Sequence, residues 1–323
     1  MMNNTFVEIS NELKMANTVL LYPHVNMDGD TLGSAVALCV ALRKMGKECH
    51  VLIEDEIPKN LQFMDRGYCT FDKNIIANPD ISICIDCGDI DRFEKRKYKF
   101  ISGRITICID HHGTTQPFCN FNYIDSKAAA TGELIYKLLQ TMDVDCDAEM
   151  GEALYAAITT DTGNFQYSNT TKETHNIVAN LYDWGIDSNK ISVEIYENVR
   201  LEKITIQNKA ISTMCTIAGG KGAIAYVTKE MLAQTGATMD ETEGVVESMR
   251  SISGVEIAAF LKEEESDKIK VSLRAKRLGD VSKIASLFNG GGHTKAAGCT
   301  IRGNITEAFD LIEAEIIKNL DNI

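Results

Sequence analysis

The loop His24-Val-Asn-Met-Asp28-Gly-Asp30 puts an imidazole, a carboxylate four residues on and another carboxylate two further on into one short stretch. Such a set can point at a common centre, and Gly29 lets the turn close tightly. Acids recur at comparable places: Asp86 ends the run ISICID, Asp110-His111-His112 ends RITICID, and Asp161 closes YAAITTD before Thr162-Gly163. His24, Asp28, Asp30, Asp86, Asp110, His111, His112 and Asp161 together supply enough oxygen and nitrogen donors for two divalent cations sharing one carboxylate. Mixed oxygen and imidazole ligation favours Mn2+, with Mg2+, Fe2+ or Co2+ as alternatives, over the thiolate-rich sites of structural zinc. Any one of these acids alone reads more simply as a helix cap or turn former, and His24 alone as a packed or surface histidine. The set argues for chemistry, because three of only six histidines fall in these loops. Cys84 and Cys87 form a CxxC around Asp86, but no second CxxC completes a four-thiolate site.

A second constellation stands near the C-terminus, in Asn289-Gly290-Gly291-Gly292-His293-Thr294-Lys295-Ala296-Ala297-Gly298. Successive glycines allow a backbone whose N–H groups all face one anion, and His293 can add a charge-assisted contact. Standing alone, the glycines would equally make a flexible helix-to-strand turn. Ser272 and Arg274 alternate on a nearby strand and so project from one face, where an arginine suits bidentate phosphate recognition. Arg250, at the end of an acidic helix candidate, is a further anion ligand to weigh against a surface ion pair. The runs Glu263-Glu264-Glu265 and Asp91-Arg92-Phe93-Glu94-Lys95-Arg96-Lys97 read as solvated faces.

The elements that position these groups follow from hydrophobic patterning. NTVLLYP, CHVLIE, ISICID and RITICID are short apolar runs; the last three hardly alternate, which suits strands covered on both faces of a parallel sheet. Helices are expected over 31–45, stopped by Gly46, and near 131–142, 148–159 and 171–184. Residues 188–214 look helical, amphipathic and polar, as a connector would. Beyond come the strand AIAYVT, an acidic helix around 240–249, a hairpin of VEIAAFLKEEE and KIKVSLRAK turning at Ser266-Asp267, the helix DVSKIASLF and the strand AAGCTI. The fold class is α/β: an N-terminal parallel-sheet domain, a helical connector and a smaller C-terminal mixed-sheet domain.

Composition narrows the function classes. A chain of 323 residues suits about two domains, and its 44% hydrophobic and 24% charged residues are ordinary globular values. The net charge of −13 argues against a long duplex as partner, although one or two phosphates can be held by a metal and a few local cations. Ten scattered cysteines fit a reducing cytoplasm better than a secreted disulfide framework. No leader pattern and no apolar stretch of about 18 residues is present, so a soluble protein without membrane contact is expected.

The HxNxDGD loop at His24, the lone Asp86, the Asp110-His111-His112 triplet and Asp161-Thr-Gly resemble the four motifs of the DHH phosphoesterase superfamily. The GGGHxxAAG at Gly290 to Gly298 resembles the signature of the associated DHHA1 domain. The resemblance covers nearly the whole chain and is closest to the nanoRNase type, the bifunctional oligoribonucleases and 3′-phosphoadenosine-5′-phosphate (pAp) phosphatases. It implies a DHH catalytic domain over 1–187, a linker over 188–214 and a DHHA1 substrate-binding domain over 215–323. It implies two Mn2+ ions, with His24 and Asp28 on one, Asp30, His111 and Asp161 on the other, and Asp86 bridging. Asp110 would orient His111, and His112 would lie beside the nucleophilic water or leaving group. Ser272, Arg274, Gly291, Gly292, His293 and Arg250 would hold the far phosphate or terminal nucleotide across a cleft between the domains. A homodimer is suggested as well. Met27 stands where family members usually carry Pro.

Two neighbouring cations acidify a water and clamp the attacking and leaving oxygens of an in-line displacement. The expected activity is therefore hydrolysis of RNA oligonucleotides of about two to five residues, and removal of the 3′-phosphate of pAp. The same constellations would serve a phosphodiesterase for cyclic dinucleotides or linear pApA. A RecJ-like exonuclease would be expected to carry an additional nucleic-acid-binding domain and a more basic face. A related pyrophosphatase would lack Gly290 to His293. A non-catalytic nucleotide sensor would be marked by loss of a ligand, whereas every motif acid and histidine is present here.

Overall fold

Short apolar runs stack into the first sheet because each can be covered on both faces. The computed structural model describes residues 3–321, apart from the side chains of Asp91 and Glu94. The chain divides into two compact units, Met1–Asn198 and Val199–Ile323. The first begins with α1 (Phe6–Met15), β1 (Thr18–Pro23), α2 (Gly29–Lys44), β2 (Glu48–Leu52), β3 (Cys69–Thr70) and β4 (Ile81–Ile85). It continues with α3 (Lys97–Ile101), β5 (Ile105–Asp110), β6 (Phe121–Ile124), α4 (Thr131–Met142), α5 (Ala148–Asp161), α6 (Lys172–Asp183) and α7 (Ser188–Ser192).

The strands form a six-stranded sheet in the order β3-β2-β1-β4-β5-β6, parallel at every pairing. The order reverses between β1 and β4, the switch point beyond whose carboxyl ends α/β sheets place their ligands. Val19 and Leu21 join a core packed by α2, α4 and α5, while Leu20 and Tyr22 face a second core with Phe93 and Phe100. The packing of α2 against α5 depends on Gly33, where a Cβ would collide with the carbonyl oxygen of Ala153. Met27 is buried in the main core, so the apolar side chain is used for packing.

The charged run 91–97 is not a solvated face throughout. Phe93 is fully buried against Tyr22 and Phe100, with ring centroids 5.9 and 5.1 Å away. Arg96 is buried too, donating to the carbonyls of Leu52 and Pro23 and pairing with Glu54 at 3.0 Å. Three partners compensate its desolvation, and they tie together the ends of β1 and β2.

The second unit contains α8 (Leu201–Ile211), β7 (Cys215–Ile217), β8 (Gly222–Val227), α9 (Lys229–Thr235), α10 (Val245–Ser251), β9 (Ile257–Glu265) and β10 (Lys268–Ala275). It ends with α11 (Val281–Ser286), β11 (Gly291–His293), β12 (Ala296–Arg302) and α12 (Ile305–Asp321). The sheet order is β11-β12-β10-β9-β8-β7, with β8 and β9 parallel and the other pairs antiparallel. Ala308, Ile312, Ile316 and Leu320 recur every four residues on α12 and cover one face. On the other face Ala258 and Phe260 pack with Ile206, Val246 and Met249.

The helical segment expected over 188–214 is shared between the units. Ile191 and Ile195 belong to the first core, Ile206 and Ala210 to a core of the second. The acidic helix expected over 240–249 is broken: a short 3-10 turn at Asp240–Thr242 precedes Gly244, whose φ of 93° starts α10 afresh.

Candidate metal centre and anion-binding face

The histidines and most of the acids singled out above follow the carboxyl ends of β1, β4 and β5. His24 follows β1 directly, Asp86 follows β4, Asp110 ends β5, and Asp161 ends α5. Asp28 caps α2, accepting the Thr31 N–H at 3.0 Å on Oδ1 and leaving Oδ2 3.6 Å from His24 Nε2. Asp86 adopts a φ of 54°, a left-handed conformation Asp tolerates better than most residues, with its N–H donated to Ile109 O at 2.9 Å. This turns its carboxylate to the middle of the site, 3.6 Å from His24 Nε2, 3.6 Å from His111 Nε2 and 3.5 Å from His112 Nδ1.

Two imidazoles are oriented by main-chain carbonyls. His24 Nδ1 donates to Val25 O at 2.7 Å and His111 Nδ1 to Ala128 O at 3.2 Å, so each presents Nε2 to the carboxylates. His111 Nε2 lies 3.5 Å from Asp161 and 3.8 Å from Asp30. Ligand atoms of His24, Asp28 and Asp86 fall within 4.8 Å of one another, as do those of Asp30, His111 and Asp161, and of Asp86, His111 and His112.

Asp110 corrects one expectation. Its carboxylate does not orient His111; it accepts the ring N–H of His112 at 2.7 Å, the His112 backbone N–H at 3.2 Å, and the Thr115 hydroxyl. A side chain ending β5 points to one side of the sheet, and His111 has already taken the Ala128 carbonyl. The Asp110 hydrogen bond is the main cause that raises the pKa of His112 above its ordinary value. Burial opposes ionisation of Asp110, but hydrogen bonds from His112 and Thr115 win and hold it below the usual carboxylate range.

The donor set fits divalent cations. Asp30 is buried and driven well above the usual carboxylate range, first by burial and then by the charges of Asp86, Asp161 and Asp28. Burial likewise pushes Asp161 up to about 6, the repulsion of Asp86 and Asp28 offsetting the pull of His111. Burial disfavours charge on His24, yet its contacts with Asp28 and Asp86 outweigh burial and push it up to about 9. Carboxylates held this close repel one another unless protons or cations intervene. Cys84 and Cys87 stay outside: both are buried in the smaller core, their thiols donating to Ile107 O and Asp89 O.

Thr131 was not legible as a site residue. At the start of α4 its N–H donates to Asp30 Oδ2 at 2.7 Å, its hydroxyl to Asp86 Oδ1 at 2.8 Å, and the next N–H, of Gly132, to Asp30 Oδ1 at 2.9 Å. A helix N-terminus thereby holds one acid from the first turn of α2 and one from the loop after β4. The sequence signal was a Thr-Gly opening a periodic helix, which announces free N–H donors without naming their acceptor.

In the second unit the strands align the proposed anion ligands in rows. Gly298 on β12 lies between Gly291 on β11 and Ser272 on β10, and Ala296 lies between His293 and Arg274 in the same way. The glycine run is not a nest of convergent N–H groups. Gly290 N–H donates to Ala285 O at 2.9 Å, and Gly291–His293 continue as an extended edge strand whose groups alternate in direction. Gly290 is required for close approach, since a Cβ would strike Gly298 O, and Gly292 has a φ of 140°. Arg274 Nε donates to Glu247 on α10 at 2.9 Å, and half-buried Arg250 lies one turn further along that helix. An open cleft of about 890 Å³ is lined by Lys268, Lys270, Ser272, Asn289, Gly291 and Arg302. Arg274, His293, Gly292 and Arg250 lie outside its lining.

Comparison with known proteins bears on both units. Residues 18–158 match the DHH family, N-terminal domain, and residues 207–318 match the DHHA1 domain. The chain is similar to the bifunctional oligoribonuclease and PAP phosphatase NrnA of Thermus thermophilus, 27% identical over 94% of this chain and 90% of that protein. It is also similar to the protein of the same name from Bacillus subtilis, 28% identical over 91% and 92%. Among solved structures, an exopolyphosphatase-related protein from Bacteroides fragilis superposes with a TM-score of 0.89 at 26% identity, covering 97% of this chain and 96% of that one.

Proposed function

The chain belongs to the DHH phosphoesterase family, with a DHHA1 domain following, and from that membership we propose that it is a metal-dependent hydrolase of short oligoribonucleotides and of pAp. The observation that carries this is the position of Asp86, within 3.6 Å of imidazoles from two different loops and shared by separate ligand groups. Its relatives' names, oligoribonuclease and PAP phosphatase, give the substrate class. His24 and Asp28 would hold one ion, Asp30, His111 and Asp161 the other, and Asp86 both; Mn2+ suits this oxygen and nitrogen set, with Mg2+ or Co2+ as substitutes.

Bound cations supply Lewis-acid activation of water and neutralise charge developing on the phosphoryl oxygens. The residues do the rest. His112 is fixed at Nδ1 by Asp110, so Nε2 is the atom that carries a proton to or from the reacting oxygens. Because Asp110 raises the basicity of His112, the ring is suited to give that proton to the leaving oxygen. Thr131 and Gly132 fix Asp30 and Asp86 so that neither carboxylate swings away. Ser272, Arg274, Gly291, Gly292, His293 and Arg250 would grip a terminal phosphate or nucleotide and so select short substrates. No helix among the described residues is long and apolar enough to cross a membrane. We assign the protein to the cytoplasm on its ten scattered cysteines, which suit a reducing compartment.

The test is side-by-side turnover with Mn2+ of pAp, a 5′-labelled dinucleotide, a 24-mer RNA and cyclic di-AMP at one concentration. Fast cleavage of the dinucleotide and pAp with a slow 24-mer is expected. Preferential opening of cyclic di-AMP would move the protein to cyclic dinucleotide breakdown. No turnover of any of them, with or without metal, would make it a nucleotide sensor.

A further inference from the structure

We infer that Arg92 contacts substrate: its guanidinium holds a non-bridging oxygen of the phosphoryl group seated against the candidate metal centre. This rests on the phosphoesterase reading and adds to the centre a residue outside its motifs. Arg92 lies in the turn after β4, the strand between β1 and β5, whose following loops carry Asp28 and His112. Both its backbone polar groups are engaged: its N–H donates to Asp89 O at 3.1 Å, and its carbonyl accepts the Val25 N–H at 3.1 Å, one residue past His24. Buried Phe93 and Arg96 pin the same turn to the core, while Arg92 itself is exposed. A main chain held at both polar groups thus carries an exposed cation in the turn hydrogen-bonded to the residue after His24.

The charge of Arg92 is felt both at Asp28 and at His112. Among the described residues no carboxylate lies within ion-pair distance of it, in contrast to Arg66, Arg96 and Arg274, each of which pairs with a glutamate. A phosphoryl group has more charged oxygens than its cations need engage, and a guanidinium fork matches two of them. His112 holds a single proton-bearing atom toward substrate, so it cannot supply that contact as well.

The test uses the full chain loaded with Mn2+ and compares wild type with Arg92→Ala and Arg92→Lys. Inorganic phosphate is titrated by calorimetry, pAp kinetics are measured, and Mn2+ binding is followed separately. For Arg92→Ala we expect phosphate affinity to fall about tenfold or more and kcat/KM for pAp about 10²-fold, with Mn2+ stoichiometry and affinity unchanged; Arg92→Lys should recover part of both. Phosphate affinity within twofold of wild type overturns the inference, and so does a loss explained by weaker Mn2+ binding. If wild type hydrolyses no phosphoester, the proposed function fails, yet the phosphate titrations of wild type, Arg92→Ala and Arg92→Lys still decide the role of Arg92.

Discussion

Asp110 and His112 are joined twice, ring to carboxylate at 2.7 Å and backbone N–H to the same oxygen at 3.2 Å. The two hydrogen bonds from His112 to a residue two positions back fix the imidazole without help from any other loop. This separates the adjacent histidines into different tasks, His111 presenting Nε2 to Asp30, Asp86 and Asp161 and His112 giving its Nδ1–H to Asp110. Asp110→Asn should therefore keep Mn2+ binding but lower kcat roughly 10²-fold. Its activity should also fail at lower pH than that of wild type on the alkaline side, because the raised pKa of His112 is lost. A pH–rate profile matching wild type would remove Asp110 from proton transfer.

Asp86→Asn preserves size and tolerance of the left-handed conformation while removing the shared charge. Hydrolysis should fall about 10³-fold or more, with a melting temperature close to that of the chelator-stripped wild type. Asp86→Ala and His111→Ala should abolish turnover in the same way. A purified variant with near-normal rates and full Mn2+ content would refute the two-ion assignment. EDTA should likewise stop turnover, and added Mn2+ restore it.

Stabilisation by Mn2+ should grow with pH. His24 and Asp161 have pKa values of about 9 and about 6, above the ordinary 6.5 and 3.8. Their protons therefore stabilise the metal-free fold fully below those ordinary values, and that contribution is lost as pH rises through about 6 and then about 9. A cation must displace the same protons, so its advantage is small at pH 5.5 and large at pH 8.5. Scanning fluorimetry with and without Mn2+ at these pH values measures it; a shift in melting temperature that shrinks with rising pH would contradict the argument.

Arg274→Ala and His293→Ala should raise KM for pAp and dinucleotides about tenfold with Mn2+ content unchanged. Glu247→Gln, which leaves Arg274 without its carboxylate partner, should raise KM by less. Identical kinetics in the Arg274 and His293 variants would leave β11 and β10 as scaffold only.

Gly33→Ala should cost about 1–3 kcal/mol, because α2 and α5 would have to separate at Ala153. Denaturant titration reads this directly. Since α5 ends in Asp161, Mn2+ affinity should fall along with stability.

Much of the centre was legible because a buried parallel sheet leaves a strong trace. Runs such as ISICI have no polar face, and a charged residue at their end must sit in the loop beyond. The helix read over 131–142 and the hairpin at Ser266-Asp267 were equally plain, being periodic segments with clear turn signals. Choices between neighbours were not legible. Nothing in Asp-His-His says which ring the aspartate holds; that depends on Ala128, a carbonyl from a distant loop. The glycine run suggested a nest, but its pairing with Ala296–Gly298 makes it an edge strand. Arg96, in a run of charges, was hidden because its partners are main-chain carbonyls at Pro23 and Leu52.

The candidate ligands run from His24 to Asp161 and come from the ends of β1, β4, β5 and α5 and from the start of α2. Such a centre has a consequence for the order of folding events. A cation can gain several ligands only after these distant segments have met, which is late for contacts so far apart in sequence. Metal binding should then leave the folding rate nearly unchanged and act by slowing unfolding, so that the loaded protein persists longer without forming any faster.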